Sequence, residues 1–382
     1  MNASFDGYLR ADGRAGTRNY LGVFVVGNCA STAARRVAEW FAPRRLAAFP
    51  NVDGVLPFVH ELGCGMEKSG EPMDLLRRAL GGSIRNPNLA GAVVMALGCE
   101  RNNTYALLEQ EDLLAGPMRR TVVLQEVGGT ARAVEEGIAA VQAMLPMANE
   151  SRREPVPASR LVVGLQAAGL TAQPEGVQAA VGTAIDLLVA QGGTVIVSET
   201  RALAPALAPR AATPAVGEQL GERIVWWKQY TAGRDTRPAA DVRAGAAFAG
   251  TSPLAAMFGY GHPVPCAGLV LMDAPGYEAV AATGQIASGA TLVCMASADG
   301  SSFGAAGAPT VKLATDSAVF ARFADDLDFD VGGVASVDVA PQELGRQLFE
   351  RWLAHASGQP TCSEALGLGG DEFVPWPVGV LA

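Results

Sequence analysis

The chain reads as an α/β protein: two α/β domains, each with a mostly parallel sheet flanked by helices. Three observations predict this. Short apolar runs alternate with helix-period stretches along the chain, the pattern of repeated β-α units. Glycine is abundant, 45 of 382 residues, which suits many tight strand-to-helix turns. One polar, proline-bearing stretch interrupts the alternation, as an interdomain linker does.

The elements follow in order. Leu21–Val26 is a predicted strand and Ser31–Phe41 a helix. Ala92–Leu97 and Thr121–Leu124 are strands, with helices near Thr104–Leu114 and Gly129–Leu145. Residues 149–159 hold Asn149, Glu150, Arg152, Arg153, Glu154 and two prolines, and are the expected linker. This divides the chain into domains 1–148 and 160–382. In the second, Leu161–Leu165, Thr194–Ser198, Gly268–Met272, Thr291–Cys294 and Thr310–Leu313 are predicted strands. Val177–Ala190, Ser317–Asp325 and Gln342–Ala356 are predicted helices.

A hydrophobic fraction of 49% supports a sizeable core, and a net charge of −9 offers no basic stripe for nucleic acid. No uncharged apolar run of about 20 residues predicts a membrane span. The start, Met1-Asn-Ala-Ser-Phe-Asp, lacks a basic segment followed by an apolar one, so the expected compartment is the cytoplasm. Six cysteines in a chain of this length do not form a disulfide scaffold. An Ala-rich, weakly charged surface is compatible with a homo-oligomer.

Three cysteine motifs follow apolar runs in the first hundred residues: Asn28-Cys29, His60-Glu-Leu-Gly-Cys64-Gly and Leu97-Gly-Cys99-Glu100. In open α/β sheets, ligands bind in the loops after strands. Three thiols, an imidazole and a carboxylate therefore have a route to one pocket. Imidazole and thiolate both ligate iron or zinc, and His60 can equally serve as a general base or simply pack in its turn. Cys29 reads first as a small buried hydrophobe, with a place at the site as the alternative. Cys266, Cys294 and Cys362 read as structural, as do His262 and His355.

The run Arg10…Arg14…Arg18-Asn19 could grip a carboxylate or merely lead into the first strand. Gln125-Glu126-Val-Gly-Gly-Thr130 opens a helix in an anion-binding style. It has no Gly-x-Gly-x-x-Gly, so no nucleotide cofactor is expected. Glu199 ends a strand, where a ligand or an acid/base belongs. Gln285 sits in a Gly-bearing polar segment, and Lys312 lies inside an apolar strand, which is costly unless paired or functional.

Taken together, these segments resemble the altronate/galactarate dehydratase family. The matching runs include Asp12-Gly-Arg14, Asn28-Cys29, His60…Cys64-Gly65, Cys99-Glu100, Gln125-Glu126…Thr130 and Ser198-Glu199-Thr200. Gly250-Thr-Ser-Pro, Pro275-Gly-Tyr277, Thr283-Gly-Gln285, Lys312-Leu-Ala-Thr315 and Asp371-Glu-Phe-Val-Pro-Trp376 continue the match.

The resemblance implies a lyase that removes water from a polyhydroxy acid to give a 2-keto-3-deoxy acid. It also implies a divalent metal, Fe2+. By matching motif, His60, Glu100 and Glu199 are the expected catalytic residues. Cys64, Cys99 and His60 are the expected metal ligands, with Cys29 and Glu126 beside them. Arg14, Arg18, Asn19, Gln125, Thr130, Gln285 and Lys312 are expected to hold a small acidic substrate. A relative in the family expels sulfite, and such large subunits work with a small β-rich SAF-type domain. A separately encoded SAF-domain subunit is therefore an expected partner.

The chain departs from the family in its second half. Gln166-Ala-Ala-Gly-Leu-Thr171 stands where the family has a Cys-Gly-Gly-Ser-Asp type loop. Asp299 replaces an arginine, Val331 a cysteine, and the stretch after Thr231 is shortened. These changes fit either a divergent lyase with a smaller or less acidic substrate, or a catalytically silent relative that binds a ligand or a partner chain.

Overall fold

The computed structural model describes residues 2–170, 172–234, 247–335 and 339–379. Most of the shortened stretch after Thr231, residues 235–246, and Thr171 lie outside the described residues. The chain begins with β1 (Ser4–Leu9) and β2 (Ala15–Gly16), then lays down β3 (Tyr20–Val25), β4 (Gly54–Phe58), β5 (Leu89–Ala96) and β6 (Arg119–Val123). The last four form one sheet in the order β4-β3-β5-β6, with every pairing parallel.

Next comes β7 (Glu154–Pro157), followed by β8 (Val162–Gln166), β9 (Thr194–Val197), β10 (Leu254–Phe258) and β11 (Gly268–Met272). The chain then adds β12 (Leu292–Ser297), β13 (Thr310–Ala314) and β14 (Phe329–Asp330). The seven-stranded sheet β10-β11-β9-β8-β12-β13-β14 is parallel throughout. Its central strands are buried along their length, β9 entirely so. Such strands read as unbroken apolar runs because helices cover both faces.

The stretch expected as a linker holds a strand. Its Glu154–Pro157 segment pairs antiparallel with Ser4–Gly7 of β1, giving a small sheet β2-β1-β7. Val156 and Phe5 bury against the core of the larger sheet. Pro155 and Pro157 are tolerated because β7 is an edge strand.

Strand β4 and the helix Glu71–Ile84 have weak signals in the sequence. Pro57 interrupts β4, which is accepted only because β4 is an edge. The helix carries Gly81 and Gly82, and both are needed for close packing. It buries Met73, Leu76, Leu80 and Ile84 against the four-stranded sheet and Leu75 and Ala79 against the seven-stranded one. One helix thus glues both sheets through two faces. Among the described residues, no helix is long and apolar enough to cross a membrane.

Candidate functional site

In the four-stranded sheet the chain runs from β3 outwards to β4, then returns to β5 on the other side of β3. The carboxyl ends of β3 and β5 flank the point where strand order reverses, the usual ligand crevice of such sheets. Cys29 follows β3, Cys99 follows β5, and Cys64 follows the neighbouring β4. Backbone bonds lace the three loops together. Asn28 N–H donates to Leu62 O at 3.2 Å, and Asn102 N–H donates to Gly63 O at 3.0 Å. The Asn102 amide donates to Val26 O at 3.0 Å. Gly63 has φ +100°, and a Cβ there would lie 2.5 Å from Val26 O, so only glycine allows this approach. Cys29 Sγ and Cys64 Sγ are 3.6 Å apart. Burial pushes the Cys64 thiol up, and Cys29, Glu100 and Cys99 add to the shift. Cys29 and Cys64 are thus side by side, and Cys99 is near enough to act on Cys64.

The imidazole is spent on backbone groups, and the carboxylate, although near enough to act on Cys64, is bonded to its own turn. His60 Nδ1 accepts from Leu62 N–H at 3.1 Å, so Nε2 carries the proton and donates to Val25 O at 3.0 Å. The ring is buried, which pulls its pKa down to about 4 against the pull of the Val25 bond. Both nitrogens bond backbone groups, so in this arrangement His60 shapes the loop. Glu100 is likewise consumed: Oε1 accepts from Leu97 N–H at 2.5 Å and Oε2 from Gly98 N–H at 2.7 Å. It ties its own turn. Among the described residues, no three His, Cys, Asp or Glu side chains are grouped to hold a metal. The donor set His60–Cys64–Cys99 is therefore not assembled.

The expected substrate-binding residues separate in the same way. Arg18 is buried, with Nε and Nη2 forking onto Glu364 at 2.6 and 2.7 Å. Its Nη1 donates to Thr17 O and His355 O, so it clamps the amino-terminal segment to the carboxyl-terminal helices. Asn19 donates to Asn51 O and Ala148 O and accepts from Arg10. Arg14 pairs with Asp12 and donates to Arg85 O on the surface. Lys312 is wholly buried and donates from Nζ to Ser301 O at 2.8 Å, bracing a loop from beneath. Gln285 is wholly buried too, donating to Ile196 O and Ser198 Oγ at 3.0 Å. All five are engaged with protein groups, and a sequence cannot reveal that a polar side chain has already found its partners. Gln125, Glu126 and Thr130 stay exposed at the end of β6, where Glu126 accepts from Tyr105 Oη at 2.9 Å.

The seven-stranded sheet has its own switch point. The chain leaves β8 for β9 on one side and later returns to β12 on the other. Over the carboxyl ends of these strands opens a crevice of about 620 Å3. Gln166, Glu199, Ser297 and the Ser301-Ser302 turn line it. Glu199 is the sharpest feature. It is only 5% exposed, yet lies in the crevice wall. It holds φ +66°, ψ +58°, a left-handed conformation rare for a side chain with a Cβ. The Gln166 amide lies 2.7 Å from the Gln285 amide and 3.2 Å from Glu199 Oε1.

Three lining residues had no role in the sequence reading: Arg201, Glu278 and Glu372. Arg201 directly follows Glu199-Thr200, and Glu372 lies within the Asp371–Trp376 run, so both were signalled only by their neighbours. The carboxyl-terminal run joins the two sheet edges. Asp371 pairs with Arg35 at 2.5 Å, Phe373 packs edge-on to Phe24 and Phe58, and Glu372 between them reaches the crevice. Among the described lining residues, Glu199, Glu278, Asp299 and Glu372 are the acids and Arg201 the one cation.

Comparison with known proteins places this geometry. Residues 7–149 match the family description "D-galactarate dehydratase/Altronate hydrolase, second domain". Residues 158–247 and 243–381 match "D-galactarate/Altronate dehydratase, C-terminal". The chain is 32% identical to galactarate dehydratase (L-threo-forming) of Escherichia coli, over 98% of this chain and 77% of that protein. It is 29% identical to altronate dehydratase of Bacillus subtilis, over 94% and 75% respectively. It is 27% identical to (2R)-sulfolactate sulfo-lyase subunit beta of Chromohalobacter salexigens, over 95% of each. Matches that run through both parallel sheets leave one conclusion: the chain belongs to the D-galactarate/altronate dehydratase family of lyases.

Proposed function

We propose that the chain eliminates water from a polyhydroxy carboxylic acid at the crevice of the seven-stranded sheet, with Glu199 as the base. The carrying observation is the buried Glu199 carboxylate, held in a left-handed corner over a switch point. Such strain persists where the surroundings over-determine it, and it concentrates at functional sites. The family relationship supports elimination as the reaction class.

In this reading the carboxylates and serine hydroxyls of the crevice hold the substrate's hydroxyl chain, and Arg201 takes its carboxylate. Glu199 removes the proton from C2. Protonated Glu199 then supplies the proton with which the 3-hydroxyl leaves as water, and the enol relaxes to the 2-keto acid. A single acid wall with one arginine favours a monocarboxylate over a dicarboxylate. The test is 2-keto-acid formation on a panel of sugar acids. Turnover lost in Glu199→Gln, with the fold intact, supports the assignment; equal turnover in that variant overturns it.

A second reading is favoured by one observation. The chain spans 95% of a sulfo-lyase relative whose name marks it as one subunit. The same proton abstraction would then expel sulfite, and a separate small subunit would complete the enzyme. Including a sulfo-acid in the panel, with sulfite release as readout, separates the two.

A further inference from the structure

The thiols at the four-stranded sheet are arranged for a different chemistry from the crevice. Cys29 Sγ lies 3.6 Å from Cys64 Sγ, and a disulfide needs about 2.05 Å. Closing that gap takes a movement of roughly 1.5 Å. Both sulfurs are reachable, Cys29 being exposed and Cys64 half-buried. The Asn28–Leu62 backbone bond keeps the two turns adjacent. Gly65, next to Cys64, has open space around it, so the turn has room to give. The nearby imidazole and the Glu100 carboxylate both bond backbone groups, and among the described residues no three His, Cys, Asp or Glu side chains are grouped to hold a metal.

We propose that Cys29 and Cys64 form an oxidisable dithiol, a modification site that a hydroperoxide converts to an intramolecular disulfide. The exposed Cys29 thiolate attacks the peroxide O–O bond, becomes a sulfenic acid and releases hydroxide or alkoxide. The Cys64 thiolate then attacks that sulfur and expels a second hydroxide. Two thiols and one hydroperoxide give one disulfide, one alcohol (water, for hydrogen peroxide) and one water. The bond staples the loop after β3 to the loop after β4. The proposal stands independently of the reaction assigned to the crevice.

The test uses the full chain, reduced, treated with a chelator, and then exposed to a few equivalents of hydrogen peroxide. Peptide mapping without reductant is expected to find Cys29 linked to Cys64. The denatured protein should lose two of its six thiols and regain them with a dithiol reductant. Cys99→Ser should keep the link, and Cys29→Ser should abolish it. A bond that includes Cys99, irreversible sulfinic acid at either cysteine without a bond, or six unreacted thiols would each overturn the proposal.

Discussion

Thr200 Oγ1 donates to Asp273 Oδ1 at 2.7 Å, across the carboxyl ends of β9 and β11. Asp273 is buried, takes a second bond from Trp227 Nε1 at 2.8 Å and pairs with Arg223. The Ala274 N–H returns to Thr200 Oγ1, and Thr200 N–H donates to Ala274 O. This knot fixes the residue immediately after Glu199. The left-handed corner therefore stays put because its next residue cannot move.

Asp273→Ala strips the half-buried Arg223 guanidinium and the buried Trp227 N–H of a partner. The expected loss is about 3 kcal/mol of stability, the usual cost of breaking a buried pair. Thr200→Val removes both bonds of the hydroxyl, the one to Asp273 and the one from Ala274 N–H, and should cost about 2 kcal/mol. Denaturant unfolding measures both, and the double variant should lose less than the sum, since the residues share one network. Full additivity would show that the two do not act as a unit.

Glu199→Gly and Glu199→Ala both remove the carboxylate, but only glycine accepts φ +66° without penalty. The glycine variant should be more stable than the alanine variant by about 1 kcal/mol, while both lose turnover. Equal stabilities would mean that the corner is not held in the left-handed region in solution.

Much of this architecture was legible beforehand. Apolar runs such as Thr194–Val197 could only be buried parallel strands, and their carboxyl ends marked the site edges. The place of Glu199 just past the end of β9 was legible for the same reason. Arg18, Asn19, Gln285 and Lys312 misled because polarity in a motif looks alike whether it faces a ligand or staples two distant segments. Arg18 meets Glu364, 346 residues away, and no local pattern records that. Glu372 was hidden by the reverse effect: a residue far along the chain completes a crevice built around residues 166 and 199.

His60 offers a pH test. Its folded pKa is lowered from 6.5 to about 4, chiefly by burial. A histidine held neutral contributes stability that is complete above the unfolded value and fades as pH falls towards the folded one. Stability should therefore decline between about pH 6.5 and pH 4, and less so in His60→Gln. An imidazole NMR titration with a midpoint near or above 6.5 would refute the buried, doubly bonded ring.

Glu364 predicts a second, more acidic window. Burial pushes its carboxyl up, but the Arg18 fork outweighs this and leaves it below the ordinary value of 4.5. A depressed carboxylate contributes stability above its unfolded pKa and loses it as pH falls through the folded one. Below about pH 4.5 the wild-type chain should lose stability more steeply than Glu364→Gln. Parallel acid profiles would argue that the Arg18–Glu364 clamp is open in solution.

Two helix glycines separate propensity from packing. A Cβ on Gly82 would lie 2.3 Å from Ala287 O, where the helix Glu71–Ile84 meets the helix Glu278–Ala287. Gly221, in the helix Pro214–Thr231, has nothing within 4 Å of its added Cβ. Alanine favours a helix interior over glycine by about 1 kcal/mol, so Gly221→Ala should stabilise the chain by roughly that amount. Gly82→Ala has the same propensity gain but forces two helices apart, and overpacking of this kind costs about 2 kcal/mol. The net result should be destabilisation, seen as opposite shifts of the two variants in thermal unfolding. Because Gly82 belongs to the four-stranded half and Ala287 to the seven-stranded half, the sign at Gly82 reports directly on how closely the halves approach. A stabilised Gly82→Ala would mean that the two sheets do not share this interface.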